Sequence, residues 1–314
     1  MPSFGDFQPL CTHVPSYTWC NLFYSQIQNL DSSLLTGLSN SSDTAPIGVN
    51  PTCGIERVGN GGSIGNIANV VACALSMAVV VHLFWVTSRR VAAVGRMEFL
   101  GLLALYFLTL PFQLLTTGSL LQQGTTSLVV LTAIHAGLVA ALFMVLLWNA
   151  LVATQWMEDG TISSLLPLSI LTLAFFAATL YVSLDIGLHF TSALGPDTAD
   201  PLRLRGIPLF VLTSIWPAAA ALFFFLIISY IVLFVLSEPK AVWFYVLAAG
   251  LFVLSQLAWF LLGRVICDRA NSNIDGSFIA TILETAAVVV LYLAWRGITE
   301  ESWDDPGVYY PSWH

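Results

Sequence analysis

The sequence predicts an all-α polytopic membrane protein: a seven-transmembrane helical bundle with its N-terminus lumenal or outside and its C-terminus cytosolic. Three observations carry that expectation. Hydrophobic residues make up 57% of the chain and charged residues 9%, against about 25% charged in a soluble domain, and the mean hydropathy is +0.82. Seven apolar runs approach or exceed the roughly 20 residues that cross a hydrocarbon core. None shows the two-residue alternation of a membrane β-strand.

The runs are Ile64–Thr87, Phe99–Leu120, Ser127–Thr154, Ile162–Phe190, Ile207–Leu236, Ala241–Ile266 and Phe278–Trp295. Between them stand breakers or charges: Arg89 and Arg90, Gln122–Thr126, Glu158-Asp159-Gly160, Gly195–Pro201, Glu238-Pro239-Lys240 and Cys267–Gly276. Loops this short leave room for one bundle. The expected organisation is an N-terminal lumenal tail over 1–63, a membrane domain over 64–296 and a short acidic cytosolic tail over 297–314.

Basic residues around the first run favour an N-terminus outside, with Arg57 before it and Arg89, Arg90 and Arg96 after it. Over the whole chain the rule balances, because Arg89, Arg90, Arg96, Lys240 and Arg296 face Arg57, Arg203, Arg205, Arg264 and Arg269. The cysteines break the tie. Cys11, Cys20 and Cys53 precede the first run and Cys267 follows the sixth, so all four share one side, an even number that fits disulfides in an oxidising compartment, with four unpaired thiols as the alternative. Three pairings are possible. Cys11–Cys20 with Cys53–Cys267 is favoured, since Cys53 and Cys267 both lie next to the membrane surface. Cys73, inside the first run, reads as a small apolar thiol. The glycosylation sequon, Asn40-Ser41-Ser42, falls on the same side as the four cysteines. Met1–Leu22 lacks a basic start and a sustained apolar core, so no cleavable signal is expected there.

Ionisable residues inside membrane runs are candidates for function. Asp185 and His189 share a helix face, but His82 and His135 belong at other depths and no His-Glu-x-x-His pattern occurs. Asp185 and His189 therefore read as an interfacial polar pair, with no catalytic residue, metal or cofactor expected. Glu284 lies deep in the seventh run and needs a partner, with Gln113, Asn149 and Gln256 as candidates for a packing role. Pro217 is placed to kink the fifth run. The first inner loop, Arg89 to Glu98, carries charge that suits anionic headgroups at about 1 kcal/mol per residue. In the next, Trp156 to Thr161, Gly160 is expected as a helix C-cap. The segment after Trp295 holds Glu300, Glu301, Asp304 and Asp305 around Trp303, a strip suited to docking a partner.

In order along the chain stand Asp6-Phe7, Cys11, Cys20, Pro51-x-Cys53, Val94-Gly95-Arg96-x-Glu98, Trp156-x-Glu158-Asp159-Gly160-Thr161, Ile266-Cys267, Asp275-Gly276 and the acidic stretch after Trp295. Together these resemble the fungal chitin synthase export chaperone family over almost the whole chain. The resemblance implies a non-enzymatic, multi-pass protein of the endoplasmic reticulum membrane. It would help a newly made chitin synthase fold and leave for the cell surface, supporting cell-wall chitin. It implies a membrane client and lipids as partners, with vesicle coat machinery a further candidate and no nucleic acid; self-association stays open. Gly95, Arg96, Glu98, Trp156, Glu158, Asp159 and Gly160 become candidates for client contact or loop shaping, and Glu300, Glu301, Trp303, Asp304 and Asp305 for tail contact. A lipid exporter centred on Glu284 and a seven-span receptor are the alternatives. Short inner loops speak against a receptor.

Overall fold

The computed structural model describes residues 4–58, 64–90, 93–118, 120–191 and 204–299. Among them are seven helices long and apolar enough to cross a membrane: α1 Ile67–Ser88, α2 Arg96–Thr117, α3 Thr126–Ala153, α4 Ile162–Leu188, α5 Ile207–Val235, α6 Pro239–Phe260 and α7 Gly276–Thr299. Even the 22-residue helices span ~33 Å at 1.5 Å per residue, enough for a hydrocarbon core of about 30 Å. The described residues contain no strand, only the isolated bridges Asp6 to Arg205 and Val58 to Ile64.

α3 is the central post, packed against α2, α4 and α5, while α7 lies between α1 and α6. Small residues let the neighbours of α3 come close, a common device where lipid removes the hydrophobic drive to associate. Ala133, Ala136, Ala140 and Ala141 are buried along it. A Cβ on Gly137 would meet the Phe176 ring at 2.9 Å and its carbonyl oxygen at 3.0 Å. The seam of α1, α2 and α7 is polar. Asn69 donates to Thr117 and accepts from Thr281, Gln113 donates to Thr281, and Thr285 links Ser76 to Tyr106. Such bonds average about 0.6 kcal/mol each in membranes, and here they fix which faces meet.

Two elements depart from the expectation for physical reasons. The run Ala241–Ile266 is not one helix: α6 stops at Phe260, and a separate short helix covers Gly263–Arg269. The break permits a backbone crossing, since a Cβ on Gly276 would lie 2.4 Å from the Ala258 carbonyl oxygen. In α5 the turn Val211–Ile215 is π-helical immediately before Pro217. Proline has no N–H to return to the carbonyl four residues back, and a widened turn is one way to absorb the mismatch. Trp216 anchors this region by donating to the Ala140 carbonyl at 3.0 Å and stacking on Phe175 at 4.3 Å.

Residues 4–58 form a packed cap over one end of the bundle. Helices Gln8–His13 and Tyr24–Leu30 and several 3-10 turns bury Phe7, Trp19, Leu22 and Phe23 against Val129, Ala136, Ile186 and Leu209. Backbone bonds tie it down: Phe7 N to Leu204 O at 2.9 Å and Gln123 N to Ser42 O at 3.2 Å. Disulfides join Cys11 to Cys20 and Cys53 to Cys267, with Cα separations of 5.6 and 6.2 Å. The second closes 214 residues of chain, fastening the cap to the segment between α6 and α7. Cys73 is buried and unpaired in α1.

Candidate functional site

The end of the bundle away from the cap gathers the connections α1–α2 and α3–α4 and the last turns of α7. Gly95 precedes the first turn of α2 with φ +68°, and Gly160 precedes Thr161 at the start of α4 with φ +65°. Both angles lie in the left-handed region where a Cβ is penalised. Those turns aim two amides at the opposite loop. Gly95 N–H donates to Asp159 Oδ2 at 2.8 Å, and Gly160 N–H donates to Glu98 Oε1 at 2.9 Å. Ser164 Oγ donates to the same Glu98 oxygen at 2.7 Å, and Trp148 Nε1 donates to Ser164 Oγ at 3.3 Å.

The result is a reciprocal clasp. Glu98 sits in the first turn of α2 but places its carboxylate at the N-terminus of α4, while Asp159, beside α4, serves the N-terminus of α2. Helix N-termini carry unpaired N–H groups and partial positive charge, so each acid stabilises a helix other than its own. Thr161 leaves that role open at α4, because its hydroxyl donates to the Glu158 carbonyl at 2.8 Å. Glu98 is fully buried. Asn149 donates to the Glu98 carbonyl at 3.2 Å, and Arg96 donates to the Arg90 carbonyl at 2.6 Å. α7 closes the back: Trp295 Nε1 donates to the Val94 carbonyl at 3.0 Å and stacks on Phe99 at 4.8 Å.

Of the candidate contact residues, Gly95, Glu98, Asp159 and Gly160 form the clasp and Arg96 braces the chain leading into it. Trp156 and Glu158 do not join it; Trp156 is 83% exposed and Glu158 is exposed beside it. Val94 and Met97 are exposed nearby. Two expectations change. Gly160 is not a C-cap: α3 ends at Ala153, the left-handed residue beyond it is Gln155, and Gly160 belongs to the entry into α4. Arg96 and Glu98 are helical, so the loop before them is shorter than the charge pattern implied. Ser164 and Trp295 were missed as site residues. Neither carried a sequence signal: Ser164 stands where a capping box would need Glu or Gln, and Trp295 lies in an apolar run. Glu300, Glu301, Trp303, Asp304 and Asp305 lie outside the described residues.

The remaining polar candidates are structural in their surroundings. Glu284 accepts from Gln256 at 3.2 Å, whereas Gln113 is engaged with Thr281 and Asn149 with the Glu98 carbonyl. Asp185 does not spend its carboxylate on His189. It accepts from the backbone N–H of Thr191 at 2.7 Å and from the Thr191 hydroxyl, closing the end of α4, where His189 adopts φ 54°. Burial lowers the pKa of His189, and Asp185 partly offsets this. His135 packs on Trp19 at 5.3 Å and lies 3.3 Å from the Thr116 hydroxyl. Under the cap, Asp275 is buried and accepts from Ser277 N–H at 3.0 Å and from Asn66 at 3.3 Å. Burial raises its carboxyl pKa, and hydrogen bonds from the Ser16 and Ser277 hydroxyls and from the Phe278 and Ser277 amides work against that rise.

A seven-helix apolar bundle, covered by a disulfide-bonded cap at one end and clasped loops at the other, defines a multi-pass membrane protein. Comparison with known proteins names it further. A family model described as "Chitin synthase export chaperone" matches residues 3–308, and the chain belongs to that family. Relatives carrying the same name include one from Phaeosphaeria nodorum, 28% identical over 95% of this chain and 83% of its own length. One from Coccidioides immitis is 26% identical with the same coverage, and one from Kluyveromyces lactis is 23% identical over 95% of this chain and 93% of its own. No solved structure matches.

Proposed function

We propose that this chain is a chaperone of the endoplasmic reticulum membrane that binds a newly made chitin synthase and permits its folding and export. The cap faces the lumen and the clasp faces the cytosol. Family membership across nearly the whole chain supports the client. Four disulfide-bonded cysteines at the cap end support the orientation, since disulfides persist in oxidising compartments.

The observation that carries the mechanism is the clasp. It holds two connections and the end of α7 in one arrangement, so Trp156 and Glu158 are presented on a pre-organised surface. Rigid surfaces bind with less loss of conformational freedom. An unassembled polytopic client exposes polar groups and small-residue helix faces until its own bundle closes. The apolar flanks of α4, α5 and α6 then cover its membrane segments, while the clasp surface and the acidic tail meet its cytosolic regions. No bond is made or broken in this cycle. In a pull-down from detergent-solubilised membranes, the wild type is expected to retain chitin synthase. The exposed-surface double variant Trp156→Ala/Glu158→Lys should lose most of it while remaining folded. Full retention by that variant would remove the clasp surface from the mechanism, and recovery of transported lipid or a G-protein in place of the synthase would point to an exporter or a receptor.

A further inference from the structure

We propose that Asn40 is an N-glycosylated residue, the acceptor for an oligosaccharide carried on a lipid-linked pyrophosphate. The proposal rests on the lumenal placement of the cap given above and adds a covalent modification to it. Asn40-Ser41-Ser42 has the acceptor pattern with a residue other than proline in the middle. The nearby Asn50-Pro51-Thr52 is disqualified by its proline, and the Asn50 side chain is occupied, accepting from Thr36 N–H at 3.0 Å and donating to the Leu34 carbonyl.

Asn40 ends the turn Gly37–Asn40, is exposed, and its carboxamide makes no hydrogen bond among the described residues. Its neighbours are fixed. The Ser39 carbonyl accepts from Tyr24 Oη at 2.6 Å, and the Ser42 carbonyl accepts from Gln123 N–H at 3.2 Å. The cap can therefore carry a bulky, solvated group on its outer surface with its own packing intact. In the transfer, the Asn40 amide nitrogen forms a bond to the anomeric carbon of the donor sugar. The carbon–oxygen bond to pyrophosphate breaks, the lipid pyrophosphate leaves with that electron pair, and the amide proton passes to a base of the transferase.

The test is electrophoretic mobility of the full-length protein from its own membranes, with and without endoglycosidase H. The wild type is expected to shift by one glycan, and Asn40→Gln and Ser42→Ala should each abolish the shift. A shift persisting in Asn40→Gln overturns the assignment. A second variant separates the site from the orientation. Gly37 has φ +59°, and a Cβ there meets nothing within 4 Å; asparagine tolerates that conformation. Gly37→Asn in the Asn40→Gln background completes an acceptor pattern with Ser39 on the same cap. If the wild type stays unshifted while this variant shifts, the Asn40 site is refuted and the lumenal cap stands. If neither shifts, the lumenal placement fails with it.

Discussion

Glu98 and Asp159 do different work from Glu158, although all three are acids close together at one end of the molecule. Glu98 is buried with two donors on one oxygen. Glu98→Ala would leave the Gly160 amide and the Ser164 hydroxyl without their acceptor, at a cost of about 2–3 kcal/mol, read as a lower thermal midpoint in detergent. Glu158→Lys, at an exposed position, should change stability by no more than about 0.5 kcal/mol yet reduce client export. If both variants moved stability equally, the division between clasp and contact surface would fail. Gly95→Ala isolates the backbone contribution, because a Cβ there meets nothing within 4 Å; the left-handed turn alone should cost about 1 kcal/mol.

At the scale of helices, glycines separate close packing from open space. Gly137→Ala drives a methyl into Phe176 and should destabilise by about 1–3 kcal/mol. Gly101→Ala meets only Val145 at an ordinary 3.9 Å, so the helix-propensity gain of up to about 1 kcal/mol should dominate. Comparative thermal unfolding in one detergent checks both signs. The sequence made the seven helices legible because each apolar run matches the membrane thickness, and their ends fall within a few residues of expectation. The broken end of α6 was not legible, since leucines at 261 and 262 continue the hydropathy, while the close approach of Gly276 to Ala258 that the break permits joins residues distant in sequence. The clasp was half legible: Gly95, Glu98, Asp159 and Gly160 stood out as motif residues, but their reciprocal pairing joins positions more than sixty residues apart.

For the whole molecule, the cap was the least legible part. Residues 1–63 read as a tail because no periodic run occurs there, whereas residues 4–58 are ordered by disulfides, aromatic burial and contacts to distant connections. Cys53→Ser and Cys267→Ser remove the same bond, so each should lower stability by about 2–4 kcal/mol, with the double variant no worse than either single one. Strictly additive losses would mean the two cysteines act apart. Cap and clasp hold opposite ends of one bundle, leaving the flanks of α4, α5 and α6 as the broad apolar surface for lipid or client. The central claim is that this bundle serves a membrane client, and one measurement addresses it most directly. A fluorescently tagged chitin synthase is imaged in cells with and without this protein. Retention in the endoplasmic reticulum on deletion, reversed by the wild type but not by Trp156→Ala/Glu158→Lys, is the predicted result. Normal arrival of the synthase at the cell surface in the deletion strain would contradict it.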